Sequence, residues 1–231
     1  MELPVIYEDE DVVAVAKPAG LITHSDGRTE EETAEDWFKE KYPAATGAGY
    51  VHRLDRDTSG VLVFAKNEAA YEFLRKAFHD HEVKKTYLAF VYGAPKEKKG
   101  VIDFDIGRSR KDFRLRSAQP KAKGLLRAAL TRYEVVGEAD EGSLMKVNPE
   151  TGRTHQIRVH LKAIHHPIVG DILYAPNRPH ILGIPRLGLH AFSIDIPLLS
   201  GERVAITAPI PADLAPAFAR FPGATELFAL Q

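Results

Sequence analysis

Four strand-like segments follow one another between residues 84 and 147 with no helical pattern between them: KKTYLAFVYG, VIDFDIG, LLRAALTRYEVV and SLMKV. A chain built this way cannot be a doubly wound fold, which needs a helix after each strand. In VIDFDIG the alternation predicts one strand with Ile102, Phe104 and Ile106 on one side and Asp103 and Asp105 on the other. That is the pattern of an antiparallel sheet with one wet face. Upstream, VIYEDEDVVAVAKPAG predicts two short strands around an acidic turn, stopped by Pro18 and Gly20. TEEETAEDWFKEKY predicts a short helix with acids in its first turn, where the helix dipole favours them. Asn67 is placed to cap a helix whose apolar stripe is Ala70, Tyr71, Leu74, Ala77 and Phe78. THQIRVHLKAI predicts a helix burying Ile157, Leu161 and Ile164, and the tail predicts a hairpin turning near Ser200 and Gly201. A last short helix is expected from about Pro211. The fold class expected is α+β, a mixed, mainly antiparallel sheet flanked by a few helices. With no repeat, long linker or Gly-rich nucleotide loop in view, residues 1–231 are expected to form a single domain.

Composition narrows the chemistry. The 231 residues are 44% hydrophobic and 27% charged, ordinary for a globular protein able to bury a full core. There is no cysteine, so a disulfide framework, a thiolate metal site and a thiol nucleophile are all excluded. The opening MELPVIYEDEDVV does not read as a signal peptide, and no run approaches the roughly 18 apolar residues of a membrane span. A cytoplasmic location is expected. The net charge of -1 hides an asymmetry: residues 1–50 carry twelve acids and four bases, residues 96–132 twelve bases and four acids. A polyanion is bound by a basic face rather than a basic total, so the 96–132 segment, with Arg114 and Arg116, is the candidate nucleic-acid surface.

The densest chemistry lies in VHRLDRDTSG, residues 51–60, directly ahead of the apolar run VLVFA. Asp55 stands between Arg53 and Arg56, and neighbouring guanidinium groups favour an ionised carboxylate. Such a group suits a nucleophile or a fixed anion better than a general acid. Asp57, Thr58 and Ser59 are expected to shape the turn by bonding local backbone. A second cluster is GRTHQIRVHLKAIHHPIVGD. Arg153 near a helix start suits a phosphate, whereas Arg158, beside the core position Ile157, reads as a surface residue with a packed stem. It could pair with a carboxylate bidentately if the helix met the Asp55 loop. The histidine spacings match no zinc pattern and no HExxH is present, so no metal is expected.

Four stretches in order, HRLDRDTSG at 52–60, KKTYLAFVYG at 84–93, GRTHQIRVHL at 152–161 and HPIVGDILY at 166–174, resemble the RluA-type pseudouridine synthases. KPAG at 17–20 and GLHA at 188–191 match as well, so the likeness runs from about Val5 to Ala208. The resemblance implies the pseudouridine synthase fold and an RNA uridine isomerase working without cofactor or metal. It implies that Asp55 is the essential carboxylate, attacking sugar or base or removing a sugar proton. It further implies that Arg158 pairs with Asp55, Tyr87 stacks on the target uracil, and Arg53 fills the space a flipped base leaves. Asp55, Tyr87 and Arg158 are thus the expected catalytic residues, Arg53, His52, Arg153, Arg114 and Arg116 the expected RNA contacts, and the partner is a structured ribosomal or transfer RNA stem-loop met by a monomer. The residues before His52, GAGYV, lack an arginine some relatives carry. KPAG begins at residue 17, so no separate N-terminal RNA-binding module is expected. The other readings the residues allow are an RNA-binding protein of this fold without catalysis and a metal hydrolase using Asp55 and Asp57.

Overall fold

A computed structural model describes residues 1–25, 27, 30–109, 112, 115–118 and 122–229. The first third of the chain gives β1 (Val5–Glu8), β2 (Val12–Lys17), α1 (Ala34–Lys41), β3 (Gly49–Tyr50), β4 (Ser59–Ala65) and α2 (Glu68–His79). Then come β5 (Lys84–Tyr92), β6 (Lys99–Asp103), β7 (Ile106–Arg108), β8 (Arg116–Ser117), β9 (Lys123–Arg127), β10 (Leu130–Ala139), β11 (Gly142–Pro149) and α3 (Gln156–Ala163). The chain closes with β12 (Leu189–Pro197), β13 (Arg203–Thr207), α4 (Ala215–Phe218) and α5 (Pro222–Ala229). These elements form two compact units, residues 1–85 with 190–210, and residues 86–189 with 211–231.

In the first unit β4 lies between β2, antiparallel to it, and β12, parallel to it; β1 extends the sheet from β2 and β13 from β12. All seven residues of β4 are buried. The reason is that both of its faces are covered, which is why VLVFA reads as a continuous apolar run instead of alternating. Val61, Val63 and Ala65 pack with Ala70, Leu74 and Ala77 of α2, while Phe64 stacks on Phe38 of α1 at 4.8 Å. α2 starts where its sequence predicts, with the Asn67 side chain accepting from the Ala70 N–H. α1 begins only at Ala34, inside TEEETAEDWFKEKY, where Thr33 and Asp36 form a reciprocal capping box.

In the second unit β5, β11, β10 and β6 form an antiparallel sheet, and β8, β7 and β9 a small antiparallel sheet of their own. Met145 and Val147 of β11 pack against Ile157 and Leu161 of α3. The alternation in VIDFDIG is real only in part. Ile102 and Ile106 are buried, but the chain changes sheets between Asp103 and Ile106, which leaves Phe104 41% exposed. LLRAALTRYEVV is likewise broken, into β9 and β10. The C-terminal helix expected from Pro211 is replaced by the short α4 followed by α5. The fold is thus α+β with mainly antiparallel sheets and few helices, and among the described residues no helix is long and apolar enough to cross a membrane.

The β4–β12 pair depends on Gly60, whose φ is +123° and which lies opposite Ala191. A Cβ there would sit 2.1 Å from the Ala191 carbonyl oxygen, with backbone on both sides unable to yield. Gly60→Ala is expected to cost about 2–5 kcal/mol from strain and overpacking together. Urea denaturation measures it, and an unchanged midpoint would contradict this account of the junction.

Candidate active site

The loop ahead of β4 separates its charges. Leu54 is buried and Asp55 half-buried, while Arg56 points to solvent, where its guanidinium grips Glu31 at 2.7 and 3.3 Å. Arg53 is exposed and Arg56 is committed elsewhere, so the two arginines flanking Asp55 in sequence do different jobs. The Asp55 carbonyl accepts the Thr58 N–H at 3.1 Å, closing the turn at Arg56–Asp57. Thr58 and Ser59 are both buried. Ser59 does more than shape the turn, since its hydroxyl bonds His190 Nδ1 at 2.9 Å, a partner 131 positions away.

His52 turns its ring inward. Its Nε2 accepts the Val63 N–H at 3.1 Å and its face stacks on Phe78 at 5.0 Å. Accepting that N–H requires an unprotonated Nε2, so the proton sits on Nδ1 and the ring is neutral. Burial, helped by the Lys85 ammonium, pushes the imidazole pKa down to about 3. Burial also pulls Lys85 down to about 8.

In the second unit the decisive feature is Arg158 on α3. It is 3% exposed, not the surface residue its position suggested. Its Nε and Nη2 form a bidentate pair with Asp171, both bonds 2.8 Å, and the Asp171 side chain is fully buried. Asp171 Oδ1 also accepts the N–H groups of Leu173 and Tyr174, each at 3.0 Å. The guanidinium carbon lies 5.2 Å from the centre of the Tyr174 ring. The Tyr174 hydroxyl accepts the Arg116 N–H at 2.9 Å and bonds His155 Nδ1 at 2.9 Å. His155 itself holds a left-handed backbone, φ 57°, at the start of α3, two residues later than the sequence predicts the helix to begin. The fork therefore sits in a fixed, desolvated frame, the arrangement in which arginine outperforms lysine.

The remaining expected residues lie nearer the surface. Tyr87, on β5 opposite Val147, is half-buried and packs against the cluster containing Ile157 and Leu161. Arg153 is half-buried; its backbone N–H goes to Gln156 Oε1 at 3.0 Å and its Nε to the Ala128 carbonyl at 3.1 Å. The backbone N–H at this helix start, where a phosphate is expected, is thus used by the chain. Arg116 is half-buried on β8, and Arg114 lies outside the described residues.

Residues 11–163 match the family model for RNA pseudouridylate synthases. The chain belongs to that family. An uncharacterised RNA pseudouridine synthase of Mycobacterium bovis is 41% identical over 221 residues, covering 92% of this chain and 70% of its own. The ribosomal large subunit pseudouridine synthase D of Nitrosomonas europaea is 36% identical over 223 residues, covering 92% of this chain and 63% of its own. Among solved structures, the human RNA pseudouridylate synthase domain containing 1 superposes with a TM-score of 0.75 at 30% identity, over 91% of this chain and 84% of that one. The synthase is therefore an isomerase that acts on uridine in RNA.

Sequence reasoning gave no role to Asp171, although it stands in the quoted HPIVGDILY stretch. The available signal was an aspartate between apolar residues, thirteen positions after a core-facing arginine. Asp171→Ala removes the bidentate partner of the buried Arg158 and is expected to cost about 3–5 kcal/mol in urea denaturation; a loss under about 1 kcal/mol would show that the pair behaves as an exposed one. His52 gives a second expectation. Between about pH 6.5 and about 3 the unfolded chain takes up a proton the folded imidazole refuses. Stability is fully present above that window and falls as pH drops through it, by up to about 1.4 kcal/mol per unit. His52→Gln should show a shallower acid loss, and parallel curves would refute the assignment.

Proposed function

We propose that the synthase isomerises one or more specific uridines in structured RNA, in a ribosomal or transfer RNA stem-loop, with Asp55 as the essential carboxylate. The observation that carries this reading is that the chain holds an Asp55 loop of fixed backbone together with the matching Tyr87 and Arg158 motifs. Likeness to a ribosomal large subunit synthase favours ribosomal RNA within that class. We further propose a cytoplasmic monomer working as one catalytic domain, on the chain's lack of cysteine and its RNA substrate.

A uridine inside a stem cannot present its glycosidic bond to a carboxylate, so the base must be flipped out at a cost of a few kcal/mol. Stacking on the half-buried Tyr87 ring returns about 1–3 kcal/mol, and the exposed Arg53 is suited to fill the gap in the stem. Breaking the base–sugar bond builds positive character on the sugar, which an ionised carboxylate at Asp55 stabilises. Whether Asp55 attacks sugar or base or takes a sugar proton, it must be deprotonated and held still. Arg158, oriented by Asp171, takes the role its motif implies, holding the Asp55 carboxylate ionised. Arg116, Arg153 and Arg114 are the proposed phosphate contacts, with the half-buried His52 beside them as a proposed RNA contact.

Two outcomes test this. On an unmodified transcript of large-subunit ribosomal RNA or on unmodified transfer RNAs, Asp55→Asn should form no pseudouridine while binding RNA within about twofold of wild type; equal product from both would sink the reading. Reversing Arg114 and Arg116 to glutamate should weaken RNA binding and lower the slope of log affinity against log salt by about two. An unchanged slope would move the RNA surface elsewhere.

A further inference from the structure

The backbone of Leu54 and of Arg56, the residues on either side of Asp55, is held by one short segment, Lys17–Thr23. Upstream, the Leu54 N–H donates to Thr23 Oγ1 at 3.2 Å, and the Thr23 hydroxyl donates to the Leu54 carbonyl at 3.0 Å. Downstream, the Arg56 carbonyl accepts from Lys17 Nζ at 3.0 Å and from the Gly20 N–H at 2.9 Å. Lys17 is 1% exposed and Thr23 2%. The Lys17 ammonium also donates to the carbonyls of Pro18 at 2.8 Å and Leu21 at 2.7 Å, so it serves three converging carbonyls with three donors. The segment has its own anchor, because the Ile22 and Thr23 carbonyls accept the Ala34 and Glu35 N–H groups at the start of α1, at 2.9 and 3.0 Å.

A lysine this deeply buried is costly and is kept only where it is well partnered. A hydroxyl that both donates to and accepts from a single residue fixes that residue's peptide planes from one side. Both devices act on the neighbours of Asp55 rather than on Asp55 itself. We infer that Thr23 and Lys17 are positioning residues, which hold the backbone at Leu54 and Arg56 so that the Asp55 carboxylate is presented in one place. The inference rests on the reading of Asp55 as the reacting group. It follows that removing the Thr23 hydroxyl acts on the chemical step and spares RNA binding, because neither side chain reaches solvent.

Thr23→Val keeps the shape and removes the hydroxyl, and Thr23→Ser keeps the hydroxyl. With the unmodified ribosomal RNA transcript, Thr23→Val should slow the single-turnover rate about 10- to 100-fold, leave the RNA Kd within about twofold, and be largely rescued in Thr23→Ser. Lys17→Met should show the same split more strongly, and should it fail to fold the Thr23 pair carries the test. A Thr23→Val rate equal to wild type, or equal losses in Val and Ser variants, overturns the inference while Asp55→Asn stays inactive. Product from Asp55→Asn at the wild-type level overturns instead the reading of Asp55 on which it rests.

Discussion

The backbone that carries Asp55 is held by hydrogen bonds that do not touch its carboxylate. Lys17, Gly20 and Thr23 hold the peptide groups at Leu54 and Arg56, and the Thr58 N–H holds the carbonyl of Asp55 itself. A carboxylate on a loop has several rotamers and a backbone that moves beneath them. Fixing the peptide planes on both sides removes the larger of those freedoms before any substrate arrives. That matters for a bond cleavage in which charge must stand in the right place as it develops, since misplacement of about 1 Å costs about a hundredfold in rate. The strand behind the loop completes the support: β4 is buried on both faces, and the loop is tied to it through Ser59, His190 and the tight Gly60–Ala191 approach.

In the second unit the same problem is solved with charge. Arg158 is withdrawn from water, and Asp171 meets it with two bonds while also accepting two backbone N–H groups. A buried ion pair adds little net stability against an apolar replacement, because desolvation offsets the attraction. What it gives here is a guanidinium whose orientation is set by a rigid acceptor and by the Tyr174 ring. Tyr174 also ties that frame to the backbone of Arg116 at the edge of the basic hairpin region.

Local pattern made much of this legible in the sequence. The helix capped by Asn67 and the buried run VLVFA follow from capping and apolar period, and the role proposed for Asp55 rests on residue types in motifs that resemble the family's. What stayed hidden depends on contacts distant in sequence. Alternation in VIDFDIG cannot show that the chain changes sheets at Phe104, since the period continues on both sides of the break. Arg158 looked like a surface residue because its counter-charge lies thirteen positions on, in a loop. Ser59 looked like turn chemistry because its partner His190 belongs to another strand. The inward turn of His52 is set by a backbone N–H of β4 that no residue pattern displays.

On the role proposed for Asp55, the place of the carboxylate matters as much as its charge. Asp55→Glu tests it most directly, for it keeps the charge and moves it by one methylene. Single-turnover formation of pseudouridine in the ribosomal RNA transcript should fall at least about a hundredfold in this variant, with RNA affinity unchanged. A glutamate variant within a few-fold of the wild-type rate would contradict the claim.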